Sequence, residues 1–155
     1  MRTDRLAPVV VFAYNRAGHL ERALDALAAS GLARDTNVHV FADGPRSPKD
    51  AEKVDRVRQV LASEATAGRF ASFTIRASAV NRGLANSVIS GVGQVLAEKG
   101  RAIVVEDDLV VSADFLEFMN DCLEFYAEDP TVGSVTGFSP LRRLPSSYGK
   151  DVYLV

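Results

Sequence analysis

With 155 residues, of which 47% are hydrophobic and 25% charged, the chain can form one domain with a substantial core but hardly two. Its formal net charge of -2, with acids and bases mixed along the chain, gives no electrostatic case for nucleic acid or an anionic membrane as a partner. The single cysteine, Cys122, excludes an internal disulfide, and no apolar window is long enough for a transmembrane segment. We therefore expect a cytoplasmic protein.

The first half of the chain alternates short β-rich runs with helical patterns. Val9 to Ala13 is an apolar run of strand length, and the helical pattern after it closes near Gly31. Val38 to Ala42 predicts a second strand, which ends in the turn signal Asp43-Gly44-Pro45. Ser47-Pro48 then opens a polar helix, because proline suits a first helical turn.

The second half repeats this alternation. Ser72 to Ile75 predicts a third strand, Leu84 to Glu98 a helix, and Ala102 to Val105 a fourth strand. Ser112 is a suitable N-cap for the helix that follows. Two further strands are predicted at Val132 to Phe138 and at Asp151 to Val155.

Continuous apolar strands separated by helices predict an α/β fold in which a mostly parallel sheet is covered on both faces. Ligands of such folds bind at the carboxyl ends of the strands. Polar residues follow three of the predicted strands: Asn15-Arg16 the first, Asp43 the second and Glu106-Asp107-Asp108 the fourth. A fourth polar group, Asn81-Arg82-Gly83, precedes the third helix. Four such positions on one sheet edge indicate a binding site.

The acidic run Glu106-Asp107-Asp108 directly follows the fourth strand. One interpretation is a solvated turn leading into a helix, whose dipole favours acids near its start. The other is a divalent cation site, since carboxylate oxygens are hard ligands suited to Mg²⁺ or Mn²⁺. "VVEDD" also opens bacterial response-regulator receiver domains, but there it ends the first strand. Its place on the fourth strand here argues against that class.

Three stretches carry a more specific resemblance. "PVVVFAYNRAGHLERALDAL", "VHVFADGPRSPKD" and "AIVVEDDLVVSADFLEFMNDCLEFYAEDPTVGSVTGFS" together resemble nucleotide-sugar-dependent glycosyltransferases of the GT-A fold. The likeness is closest to the protein-O-mannose and N-glycan N-acetylglucosaminyltransferase I group and looser to glycosyltransferase family 2. It covers roughly Pro8 to Ser139 and implies a Rossmann-like three-layer α/β/α sandwich. It also implies a hexosyltransferase whose partners are a UDP-linked nucleotide-sugar and a hydroxyl-bearing acceptor.

The resemblance implies roles for individual residues. It places Mn²⁺ or Mg²⁺ on Asp108, which is the last acid of the motif, and the nucleoside beside Glu106 and Asp107. A bound cation stabilises the charge that develops on a departing nucleoside diphosphate. Asp43 matches an acid that recognises the uracil edge, and Arg16 matches an arginine beside the nucleotide.

Asn15 and Arg82 are weaker nucleotide-sugar candidates, and simpler roles remain open for several residues. Asp43 is also a natural turn former before Gly44, while Arg16 and Arg82 could be solvated surface arginines. The sequence names no catalytic base.

The chain stops at "DVYLV", in what looks like a strand, whereas GT-A enzymes continue into acceptor-side elements. We therefore expect residues 1–155 to be the nucleotide-sugar-binding part of a longer enzyme, lacking the acceptor half and inactive alone. Two other functions remain open. One is a non-catalytic nucleotide-sugar or carbohydrate-binding module. The other is a sugar nucleotidyltransferase, although "AYNRAGHLERAL" lacks the glycine-rich, lysine-bearing loop of that class.

Overall fold

The computed structural model describes residues 6–138. Its four strands are β1 (Val9–Ala13), β2 (Asn37–Ala42), β3 (Ser72–Ala77) and β4 (Ile103–Glu106). Its four α-helices are α1 (Ala17–Ala28), α2 (Ala51–Ala67), α3 (Leu84–Lys99) and α4 (Phe115–Phe125). Short 3₁₀ turns occupy Ala33–Asp35 and Pro48–Asp50. Every strand and helix predicted between residues 9 and 126 is present, with boundaries shifted by a few residues at most.

The strands form one all-parallel sheet in the order β3-β2-β1-β4. Val9 at the start of β1 pairs with Val38 of β2 on one side and with Ile103 of β4 on the other. The chain builds outward from β1 through β2 to β3, and it then crosses back to place β4 on the other side of β1. The strand order therefore reverses between β1 and β4, which is where parallel α/β folds bind their ligands.

Helices cover both faces of the sheet. On one face, alternate β1 residues such as Val9 and Val11 pack with Leu24 of α1, Leu61 of α2 and Leu116 of α4. On the other face, β1 contributes Val10 and Phe12 to a smaller cluster with Val95 of α3. All five residues of β1 are buried, which explains its unbroken apolar sequence. The predicted α/β, Rossmann-like three-layer fold is confirmed.

Gly91 sets how closely α3 approaches the sheet. Phe12 and Phe41 stack with ring centroids 5.7 Å apart on the α3 face. A Cβ atom on Gly91 would lie 2.9 Å from Phe12 Cε1 and 3.0 Å from Phe41 Cγ. A side chain there would push α3 off this aromatic pair, so the glycine has a packing role inside a helix it would otherwise weaken.

Two predictions near the end of the described chain are wrong. Val132 to Phe138 is not a strand; it lies beside α4, where Gly137 packs against Phe115 and Met119. Its two glycines weaken any strand tendency. Ser112 is not the N-cap of α4, because Asp114 holds that position.

The strand predicted at Asp151 to Val155 lies outside the described residues, as does the C-terminal part of the proposed 1–155 domain. Within residues 6–138, no helix is both long and apolar enough to cross a membrane.

Candidate functional site

A cleft of about 220 Å³ opens at the carboxyl ends of β1, β2 and β4, where the strand order reverses. We call it the switch cleft. Phe12 and Phe41 line it together with the first turn of α3. The polar side chains that line it include Tyr14, Arg16, Asp43, Arg46, Ser87, Glu106 and Asp107. Four of the predicted nucleotide-sugar residues, which are Arg16, Asp43, Glu106 and Asp107, therefore meet in one cleft.

The acidic run begins at the last residue of β4 and continues into the turn that follows. Glu106 pairs in register with Phe12, whose side chain lies on the α3 face. Asp107 lies in the turn and is only 4% exposed. Both acids line the switch cleft.

Arg16 forms ion pairs with Asp107 and Asp108. Its Nη1 donates to Asp108 Oδ2 at 2.9 Å, and its Nη2 donates to Asp107 Oδ1. The pair spans the reversal point, since Arg16 follows β1 and the acids follow β4. Burial raises the pKa of the Asp107 carboxyl, while the Arg16 charge and a hydrogen bond from the Tyr14 backbone oppose that rise.

Asp43 organises the loop that leads into α3. Its Oδ1 accepts hydrogen bonds from the backbone N–H of Gly44 at 2.9 Å and of Arg82 at 2.8 Å. Its Oδ2 accepts from the Gly83 N–H at 2.9 Å. Three of roughly four acceptor positions on the carboxylate are thus used inside the protein, and about one is left for a ligand.

The neighbouring residue strengthens this loop attachment. Gly44 N–H donates to the Val80 carbonyl at 3.3 Å, and the Asn81 side chain donates to the Gly44 carbonyl at 3.0 Å. A Cβ on Gly44 would lie 2.6 Å from the Val80 carbonyl carbon. The Asp43-Gly44 pair therefore anchors the loop before α3, and Asp43 also lines the cleft.

Three predicted residues do not line the switch cleft. One is Asp108, the predicted metal ligand, which contacts the cleft only through its ion pair with Arg16. The Arg82 side chain is exposed and lines a neighbouring cleft, although its backbone N–H is bound to Asp43. Asn15 is half-buried and is not part of the lining of the switch cleft. Asn15 and Arg82 were also the weaker nucleotide-sugar candidates in the sequence.

Arg46 and Ser87 belong to the cleft but were not predicted. Arg46 lies three residues after Asp43 in the chain, and its backbone N–H donates to the Tyr14 hydroxyl at 3.3 Å. Ser87 lies one turn into α3, and its backbone N–H donates to the Gly83 carbonyl. Ser87 could have been predicted, because a polar residue one helical turn after the loop before α3 lies at the same sheet edge as that loop.

Asp108 fits a cation site in which the protein supplies one carboxylate and the substrate supplies most of the other ligands. Asp108 is 37% exposed; its Oδ2 accepts from Arg16, and Oδ1 remains available. Magnesium sites commonly use one or two protein carboxylates, with substrate phosphates and water completing the shell. No group of three His, Cys, Asp or Glu side chains converges within residues 6–138 as a complete metal site. Substrate oxygens would therefore have to supply the other ligands.

Comparison with known proteins adds no assignment. No family model matches the chain, and no curated protein matches it.

Proposed function

We propose that this chain is the donor-binding domain of a glycosyltransferase that moves a sugar from a nucleotide-sugar to a hydroxyl acceptor with the help of Mn²⁺ or Mg²⁺. The observation that carries the proposal is the Arg16–Asp107–Asp108 arrangement at the point where the strand order reverses. It places the Arg16 guanidinium beside the carboxylate of Asp107, which lines the cleft, and beside that of Asp108, which contacts Arg16 next to the cleft. This arrangement suits a ligand with both hydroxyl donors and phosphate acceptors.

In this proposal the cleft residues have distinct tasks. Glu106 and Asp107 accept hydrogen bonds from nucleoside hydroxyls. The remaining acceptor position of Asp43 receives an N–H of the base, for which we propose uracil. Asp108 holds the cation, which neutralises charge on the diphosphate when it is bound. Arg16 pairs with a diphosphate oxygen, which requires the guanidinium to leave at least one of its present carboxylate partners.

The transfer breaks the bond between the anomeric carbon and the diphosphate oxygen, and the diphosphate leaves with the electron pair. A bond then joins the anomeric carbon to the acceptor oxygen, which loses its proton to a base. Arg16 and the polar wall of the cleft stabilise the departing negative charge. We propose a cytoplasmic location for this reaction, supported by the one cysteine, Cys122, which is a buried free thiol.

Calorimetric titration of UDP, with and without Mn²⁺, tests the proposal. Wild-type protein should bind UDP more tightly with Mn²⁺, and Asp108→Ala should lose that enhancement. Asp121→Ala, which removes an exposed carboxylate on α4, is the matched control and should keep it. A UDP affinity that is the same with and without Mn²⁺, and that is unchanged in Asp108→Ala, would refute the metal assignment. No binding of UDP or of other nucleoside diphosphates would refute the whole proposal.

A non-catalytic nucleotide-sugar-binding module is the second candidate. It is favoured by the engagement of Asp43 with three backbone amides and of Asp107 with Arg16, which leaves few carboxylates free for proton transfer. Release of nucleoside diphosphate from a panel of UDP- and GDP-sugars separates the two, since a pure binding module releases none.

A further inference from the structure

A second cleft of about 240 Å³ lies beside the switch cleft, at the carboxyl ends of β2 and β3 and next to α3. We call it the arginine cleft. It shares Phe41, Asp43 and Ser87 with the switch cleft. Its other polar side chains come from Arg76, Ser78, Arg82, Ser90 and Gln94.

The guanidinium of Arg76 is held in place from two sides. Its Nη1 lies 2.9 Å from Nδ1 of His39, and its central carbon lies 5.3 Å from the centroid of the Phe41 ring. Cation–π contact and a fixed hydrogen bond reduce the rotamer freedom that a free arginine would lose on binding a ligand. Arg76 is therefore preorganised for binding.

His39 leaves the charge of Arg76 uncompensated. It is 9% exposed, and its pKa is lowered first by burial and then by the Arg76 charge. The ring is therefore neutral at pH 7, and its Nδ1 accepts a hydrogen bond from the Arg76 guanidinium. Because His39 is neutral, it orients the guanidinium without offsetting its charge.

Arg82 brings a second cation to the same cleft. Its backbone N–H is bound to Asp43 at 2.8 Å, which fixes where its side chain starts. Within residues 6–138, neither Arg76 nor Arg82 forms an ion pair with a carboxylate. Among the described residues, Asp43 is the one acid that lines the arginine cleft, and its oxygens already accept hydrogen bonds from three backbone N–H groups.

We propose that the arginine cleft is an oxyanion site, separate from the switch cleft, that binds a phosphate or carboxylate group. Two guanidinium groups without carboxylate partners supply charge and planar pairs of N–H donors, which match the oxygens of either group. Ser87 and Ser90, on α3, add hydroxyl donors along the same wall. Anion binding in the arginine cleft does not depend on the proposed glycosyltransferase activity. It adds an anionic group to the ligands that this sheet edge accommodates.

Backbone amide NMR titrations with inorganic phosphate and, in a separate arm, with glucuronate test the site. We expect saturable shifts centred on Ser78, Ser87, Ser90 and Gln94. Arg76→Gln and Arg82→Gln should each weaken binding by at least about fivefold, since each removes a charge-assisted contact. Arg34→Gln, which removes an exposed arginine before β2 at the opposite end of the strands, is the matched control and should leave the affinity unchanged. The arm that binds more tightly identifies the anion as a phosphate or a sugar carboxylate.

Three outcomes would overturn the inference. One is the absence of saturable shifts with either anion. Another is unchanged affinity in both Arg76→Gln and Arg82→Gln; the exposed Arg82 variant keeps this test valid if Arg76→Gln fails to fold. The third is anion binding that is lost in Arg16→Gln but retained in Arg76→Gln, which would place the anion in the switch cleft.

A parallel titration with UDP keeps the two proposals distinguishable. Phosphate binding that depends on Arg76, in a protein that binds no UDP, leaves the oxyanion site standing and refutes the proposed donor function. The reverse pattern, in which UDP binds and both anions fail, refutes the oxyanion site alone.

Discussion

Asp43 and Gly83 are 40 residues apart in the chain, yet the Asp43 carboxylate accepts the Gly83 backbone N–H at 2.9 Å. The bond ties the end of β2 to the residue before α3, so it fixes the first turn of α3 over the switch cleft. Gly83 has a φ of 79°, a left-handed value that favours glycine. The carboxylate and the glycine together define where α3 begins.

Asp43→Asn should therefore destabilise the fold as well as weaken ligand binding. An amide offers one acceptor oxygen, so at least one of the N–H donors from Gly44, Arg82 and Gly83 loses its partner. We expect the free energy of unfolding to fall by about 1–3 kcal/mol, measured by urea denaturation. Asp55→Asn, at an exposed position on α2, is the control and should change little. An unchanged midpoint for Asp43→Asn would mean that these bonds add no stability.

Gly91→Ala and Gly93→Ala form a matched pair on α3 with opposite expected signs. The alanine Cβ at position 91 meets Phe12 and Phe41, whereas position 93 has no atom within 4 Å. We expect Gly91→Ala to lower the free energy of unfolding by about 1–3 kcal/mol through overpacking. Gly93→Ala should raise it by up to about 1 kcal/mol, because alanine is the better helix former. Thermal unfolding measures both, and equal effects would refute the close contact at Gly91.

Arg16→Gln should tighten the binding of Mn²⁺ in the absence of nucleotide, if the proposed metal site is correct. The variant frees Asp108 Oδ2 and removes a positive charge adjacent to the site. We expect about tenfold tighter binding, measured by electron paramagnetic resonance of free Mn²⁺. Arg46→Gln removes a charge from the same cleft without freeing Asp108 and should have a smaller effect. Mn²⁺ affinity that stays constant or falls in Arg16→Gln would contradict competition between the guanidinium and the metal.

His39 should make stability depend on pH in a definite direction. Because its folded pKa is lowered below the unfolded value of about 6.5, protons favour the unfolded chain at acidic pH. Its contribution to stability is therefore complete above about pH 6.5 and is lost as the pH falls through the folded pKa. The difference in unfolding free energy between wild type and His39→Gln should shrink from pH 7.5 to pH 5, whereas His19→Gln, at an exposed helix position, provides the comparison. A difference that grows on acidification would contradict this sign.

Hydropathy patterns predicted the strands and helices because each element has its own local signal. The five buried residues of β1 and the helical spacing of Leu20, Leu24 and Leu27 are examples. The prediction of a strand at residues 132–138 failed because apolar content alone does not supply a neighbouring strand.

The site was only partly predictable from sequence. Polar residues at the strand ends identified the correct edge, but the contact between Arg16 and Asp107, 91 residues apart, depends on β1 and β4 being neighbours. Local patterns do not determine that order. The hydrogen bonds from the backbone N–H groups of Arg82 and Gly83 to the Asp43 carboxylate are likewise long-range contacts that no local motif encodes.

The wall between the two clefts includes Phe41, Asp43 and Ser87, which line both of them. Its position is maintained by a few hydrogen bonds from Asp43 and Asn81. A ligand that shifts any of these shared side chains changes the shape of both clefts. Donor and anion would in that case change each other's affinity by the same factor, as thermodynamic linkage requires.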